Sequence, residues 1–386
     1  MDRQSGCDMR IELQRISNGF DGKQCYVHAR GLMMPSGFCL VTMQKLELSG
    51  CDVFYGIEMM KSADGGKSYS RPIRSENLGR RYFEDGTSIV LCDATPIYHR
   101  ASGKILLTGH TARYGKDNAL LCAPRERSTG YAVYDEETGD FGPLRTIEMP
   151  RTPDQRYFSS GAGCSQILEL EGGDLLIPFY FSSYEKALDP WHSCTSVAVM
   201  RCSFDGETIR IKEIGNELTV TVPRGLGEPS IARFGSMYYL ALRNDETGFV
   251  SRSSDGLHFE EPRELCFDDG TPLGNYNTQQ HWIGGGGRLW LVYTRRAGTN
   301  DHIFRHRAPL FIAELDPERL CVIRESERVA VPERGARLGN FGCQSYSDGI
   351  GYVFASEWMQ GKDGYKGCMA HGSDNSLFIS KIVFDR

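Results

Sequence analysis

Histidine, carboxylate and arginine side chains stand at corresponding points along this 386-residue chain. His28, Asp93 and Glu228 each precede a tight turn by eight to ten residues, and His110 and Arg243 end the strand that follows such a turn. An imidazole transfers protons near neutral pH, a carboxylate serves as acid, base or hydroxyl acceptor, and a guanidinium grips a carboxylate through two parallel hydrogen bonds. Brought to one place, these groups would hold an acidic small molecule and move protons on it.

The elements that must bring them together are strands. An alternating strand, a turn with Gly or Ser and a more apolar second strand recur in GLMMPSGFCLVT, TPIYHRASGKILLTG, SQILELEGGDLLIPF, PSIARFGSMYYLAL, HWIGGGGRLWLVY and QSYSDGIGYVFAS. The turn residues Ser36, Gly103, Gly173, Ser236, Gly287 and Gly349 are 51 to 70 residues apart. Such a period, filled by strands alone, predicts an all-β six-bladed β-propeller, because one small sheet cannot bury both faces without neighbours. A two-sheet sandwich is the alternative. With 44 Gly, 18 Tyr and 19 Phe and no helix-period segment or linker, residues 1–386 read as one propeller domain. If each first strand starts at a common mouth, His28, Asp93, Gly163, Glu228, Gln279 and Phe341 converge there. The second strands return Gln44, His110, Tyr180, Arg243, Arg295 and Glu357 to the same ring.

A net charge of −6 offers no basic field for nucleic acid or an anionic membrane, and neither partner is expected. The chain as given shows no basic, apolar leader and no run long enough to cross a bilayer, so a cytoplasmic protein is expected. The 13 cysteines lack metal-ligand spacing and read as reduced, buried side chains; neither cofactor nor metal is expected.

Ser62-Ala-Asp64-Gly-Gly66-Lys-Ser-Tyr69 has the S-x-D-x-G-x-x-aromatic spacing of a sialidase Asp box, and shorter versions stand at Ser203–Gly206 and Ser253–Phe259. GEPSIARFGSMYYLALRND resembles the sialidase segment in which a glutamate, here Glu228, precedes an arginine, here Arg243, by 15 residues. HRAPLFIAELD resembles the strand carrying another triad arginine, here Arg307, and CDATPIY resembles a strand start whose aspartate, here Asp93, faces the sugar. The chain thus resembles the sialidase superfamily over nearly its full length. It departs from the pattern twice. His28, in Tyr26-Val-His28-Ala-Arg30, stands in the slot of the first triad arginine, with Arg30 on the same strand face two residues on. Phe341 stands where the family has its nucleophilic tyrosine.

The resemblance implies an exo-acting glycoside hydrolase for sialic acid or a related sugar acid, with Arg243 and Arg307 as carboxylate receptors. Glu228 is either a general base or the counter-ion of Arg243. His28 and Asp93 are candidate proton-transfer groups, and Asp52 falls near the family's acid/base aspartate. Arg30, His110, Arg113, Gln279 and His281 are candidates for binding substrate, and Phe341 for packing against a sugar face. Without the tyrosine, a water activated by Glu228 or His28 implies inversion. A lyase using His28 on uronate-containing glycans and a non-catalytic carbohydrate-binding propeller are the alternatives.

Overall fold

The computed structural model describes residues 9–17, 19–48 and 52–385. Its six antiparallel sheets are six blades. Reading from the axis outward, blade one contains Gln24–Met33, Cys39–Glu47, Val53–Ser62 and Ile73–Arg74, and blade four contains Gly227–Phe234, Met237–Arg243, Phe249–Ser253 and Arg263–Glu264. Blades two, three and five begin at Ser88–His99, Ser159–Gly161 and His281–Gly285 and carry one or two extra short strands. Blade six runs Gly342–Ser347, Ile350–Ser356, Ser376–Phe384, and then takes Met9–Ser17 from the other end of the chain as its outermost strand.

The core lies between the blades, because successive residues of a strand point to opposite sheet faces. Leu240 of blade four packs toward Leu176 and Val197 of blade three, while its neighbour Ala241 packs toward Trp282 and Leu291 of blade five. Ile283, next to Trp282, turns the other way, onto Val353 and Phe378 of blade six. Val41 of blade one then meets Phe354 and Leu377 of blade six, and Leu40 meets Leu91 and Leu107 of blade two. The ring closes on itself. At Asp64, Asp205 and Asp255 the carboxylate accepts backbone N–H groups of its own turn, which fixes the outer corner of the blade.

Three inner strands are bulged at the same place. The pairing register shifts between Val27 and Arg30, between Cys92 and Thr95, and between Gly227 and Ser230. Inside each bulge sits a left-handed non-glycine residue: His28 at φ 58°, Asp93 at φ 53° and Glu228 at φ 43°. Each costs of the order of 1–3 kcal/mol, and the bulge turns its side chain out of the strand's alternation. In blade three the left-handed residue is Cys164, φ 56°, not the Gly163 that uniform counting selects. The bulge also separates His28 from Arg30, so the two do not share a face.

Met9–Ser17 pairs residue for residue with Ser376–Phe384, closing the ring between the two ends of the chain. A variant beginning at Gly19 leaves the Ser376–Phe384 edge bare. It should melt at a lower temperature than the full chain and associate as concentration rises, measured by thermal denaturation and size-exclusion chromatography. An unchanged midpoint would show that closure does not depend on this strand.

Candidate active site

The three bulged residues open onto a cavity of about 620 Å³ at one mouth of the ring. That is the size of an ordinary small-ligand site. Asp52, His28 and Phe54 line it from blade one, Asp93 and His110 from blade two, Tyr180 from blade three, and Glu228, Arg243 and Asp245 from blade four. Asn277, Arg305, Arg307 and Arg337 complete the wall from the segments around blade five.

The side belonging to blades four and five is cationic. Arg243 pairs with Glu228, reaches Asp245 at 3.0 Å and donates to Asn277 Oδ1 at 2.8 Å. Arg307 donates to the same Asn277 oxygen at 2.9 Å and to Asn340 Oδ1 at 3.2 Å. Asn277, itself left-handed at φ 53°, therefore ties two guanidinium groups to one acceptor. Arg337 is stacked 3.8 Å over the Trp358 ring and donates to Gln360 Oε1 at 2.6 Å. Burial opposes the charge of Arg243, but Glu228 and Asp245 more than offset it and its pKa rises. Arg307, buried and beside Arg243 and Arg305, is pulled down to about 10, and Arg337 falls for the same reasons, burial and the charges of Arg307 and Arg305. An anionic ligand would relieve this mutual repulsion.

The opposite side holds imidazoles and a carboxylate. His28 Nδ1 lies 3.1 Å from Asp93 Oδ1, and the ring leans on Phe54 and Trp358 at centroid distances of 4.7 and 5.7 Å. His110 Nε2 lies 3.8 Å from Asp93 Oδ2. Burial pulls His28 down to about 4 against the opposing pull of Asp93, and burial with Arg127 pulls His110 down to about 3. Both are uncharged at neutral pH. Burial also works against the Asp93 carboxylate, yet its basic surroundings hold it below the usual range. Its permanent cation there is Arg30, 3.9 Å away.

No protein-family model matches the sequence, and no curated protein matches it. Solved structures do. A Dyadobacter fermentans protein of unknown function is similar over 97% of this chain and 99% of its own, at a TM-score of 0.66 and 12% identity. A Trypanosoma rangeli sialidase is similar over 96% of this chain, at a TM-score of 0.60 and 11% identity, and the K499G mutant of Streptococcus pneumoniae NanB sialidase over 92%, at 0.59 and 10%. The fold is that of the sialidase propeller. The chain spans 59% of the length of the Trypanosoma enzyme and 67% of the NanB chain.

Within this fold, His28, Asp52, Asp93, His110, Glu228, Arg243 and Arg307 share one cavity. Five other residues expected at the site are not on its wall. Arg30 is fully buried behind it, its side chain lying against Gly342, where a Cβ would come within 2.7 Å. Gln279 and His281 are turned inward: Gln279 donates to the Phe341 carbonyl at 3.3 Å, and His281 bonds Ser230 at 2.7 Å and that carbonyl at 3.1 Å. The Phe341 ring is fully buried between blades five and six, edge-on to His281. Arg113 pairs with Glu126 outside the rim. Of the ring counted from the second strands, Gln44 is spent on the carbonyls of Tyr55 and Leu91, Arg295 on Glu327, and Glu357 on the N–H groups of Asp374 and Ser376. Arg305, Arg337 and Asn340 reach the cavity from irregular segments with no counterpart in the repeat, which is why counting missed them.

The buried imidazoles make stability pH-dependent. His281, with burial and Arg30 against it, falls to about 3, so it, His28 and His110 all stay neutral in the fold. Unfolded, each takes up a proton below its ordinary value of 6.5. The folded state therefore keeps its full stability above about pH 6.5 and loses it as pH falls from there toward 3–4, by up to about 1.4 kcal/mol per pH unit for each histidine. Denaturant midpoints at pH 7.5, 6.0 and 5.0 should fall in that order, and His281→Gln should flatten the slope by about one proton.

Proposed function

We propose that the chain is an exo-acting glycosidase that releases a terminal sugar acid, sialic acid or a related acid. The observation that carries this reading is charge. Seven arginines and four carboxylates line the cavity of a chain whose net charge is −6. The guanidinium groups of Arg243 and Arg307, converging on Asn277, suit the two oxygens of a carboxylate.

Hydrolysis needs a proton acceptor for the attacking water and a donor for the leaving oxygen. His28, uncharged and set against Asp93, is a candidate acceptor, and Asp52, facing the cavity from the blade-one loop, a candidate donor. Glu228 is already committed to Arg243, which makes it the arginine's counter-ion. The His28–Asp93 pair also favours a second reading, elimination. There the imidazole removes the proton beside a uronate carboxylate, and the arginines stabilise the resulting enolate.

The test is incubation with aryl glycosides of sialic and uronic acids. Release of the aglycone with a saturated sugar acid supports hydrolysis, and a product with the near-ultraviolet absorbance of an unsaturated uronate supports elimination. Binding without turnover would leave only a carbohydrate-binding propeller. Arg307→Lys keeps the charge but loses the two-pronged contact. It should raise KM about 10- to 100-fold with a smaller change in kcat; unchanged kinetics would remove Arg307 from the substrate's carboxylate.

A further inference from the structure

Asp93 carries two imidazoles, and the second has a hydroxyl at its far end. His110 Nε2 faces Asp93 Oδ2 at 3.8 Å, and His110 Nδ1 lies 3.1 Å from the Tyr180 hydroxyl. With Asp93 ionised, the His110 proton belongs on Nε2, toward the carboxylate. The lone pair on Nδ1 then accepts from Tyr180. The chain makes room for this arrangement: a Cβ at Gly163 would fall 1.8 Å from His110 Nδ1, and one at Gly161 2.6 Å from His110 Cβ. Two glycines separated by one residue in blade three thus let the imidazole of blade two lie against Tyr180. The Cys164 thiol donates to the other Asp93 oxygen at 2.9 Å, and the Arg127 guanidinium lies 4.8 Å from the centre of the Tyr180 ring. Asp93, His110 and Tyr180 all line the cavity.

Hydroxyl, imidazole and carboxylate in this order have the geometry of a nucleophile, its base and the group that orients the base. The 3.8 Å step is long, as such contacts are before substrate closes a site. We propose that Tyr180 is a catalytic residue, the hydroxyl end of a Tyr180–His110–Asp93 relay that takes the proton from the attacking water. The water oxygen bonds to the anomeric carbon as its proton passes to Tyr180 Oη. The tyrosine's own proton passes to His110 Nδ1, and the bond to the leaving oxygen breaks with a proton supplied from the Asp52 side. Tyr180 stays neutral throughout, which suits a phenol whose ionisation is pushed up by burial despite the nearby Arg127 charge. The imidazolium formed at His110 is stabilised by Asp93 and returns its proton to solvent with product release, while the donor on the Asp52 side takes one up from solvent, which restores both groups. This rests on the glycosidase reading and gives the role of acceptor to His110, through Tyr180, instead of to His28.

Tyr180→Phe removes only the relay's hydroxyl. On an aryl glycoside of the sugar acid, its kcat should fall about 10²–10⁴-fold with KM little changed. Azide, a nucleophile with no proton to lose, should restore turnover and yield the glycosyl azide. Wild-type rates in Tyr180→Phe, or a loss that azide does not repair, would overturn the relay while leaving the glycosidase reading intact. No turnover of any glycoside by the unaltered chain would instead overturn the reading. A measurement independent of activity tests the relay even then. Nitrogen NMR of labelled histidines should find His110 protonated on Nε2, with an Nδ1 resonance that moves in Tyr180→Phe; a proton on Nδ1 would overturn the relay whatever the substrate.

Discussion

A four-stranded blade has two apolar faces and no means of covering either alone. Every blade must therefore have two neighbours, and a row of blades satisfies that condition only as a closed ring. Leu240 and Ala241, adjacent in sequence, serve two different interfaces, as do Trp282 and Ile283. Closure is completed by hydrogen bonds between the two ends of the chain, where Met9–Ser17 supplies the last blade with its outer strand. The site inherits its geometry from this constraint. A ring places the starts of its inner strands around one axis, so residues far apart in sequence face each other across a cavity that no single blade could build.

Ring closure alone would leave that cavity lined by strand ends with no particular aim. The bulges supply the aim. At His28, Asp93 and Glu228 an extra residue in left-handed conformation turns a polar side chain toward the axis, and the strand resumes its alternation below. Side chains that are costly to place sit where the backbone is also strained, and the interlocked blades on either side hold that strain in place.

This also explains what the sequence made legible. The six blades were readable because each repeats a turn residue at blade-sized intervals, and the mouth residues of blades one, two and four because they precede those turns by a nearly constant count. The same count misplaced Arg30, since it assumed unbroken alternation through Val27–Arg30, where the register shifts. It misplaced Gln279 and Phe341 because blades five and six enter their inner strands without such a bulge: Gln279 and the Phe341 ring are spent on packing and on bonds around the Phe341 carbonyl. Arg337 and Arg305 come from connections of no fixed length, where a repeat carries no information. Tyr180 stood on the counted ring beside His110 and Arg243. A neutral phenol carries no charge to mark it in the sequence, and its contact with His110 is visible only in the fold.

The cavity divides its labour by charge. On the side of blades four and five, guanidinium groups are crowded together and share acceptors, so the wall is poised to receive a negative charge from outside. On the side of blades one to three Asp93 faces the imidazoles, with Arg30 and Arg127 close by, and the two imidazoles against it are uncharged because burial, with these cations, outweighs the attraction of that carboxylate. Neutral imidazoles keep a lone pair, which is the protonation state proton abstraction requires. Had the histidines been exposed, Asp93 would have raised their affinity for protons and left them charged near neutrality. Burial of His28 under Phe54 and Trp358, and of His110 against Tyr180, thus sets the chemistry as much as the identity of the residues does.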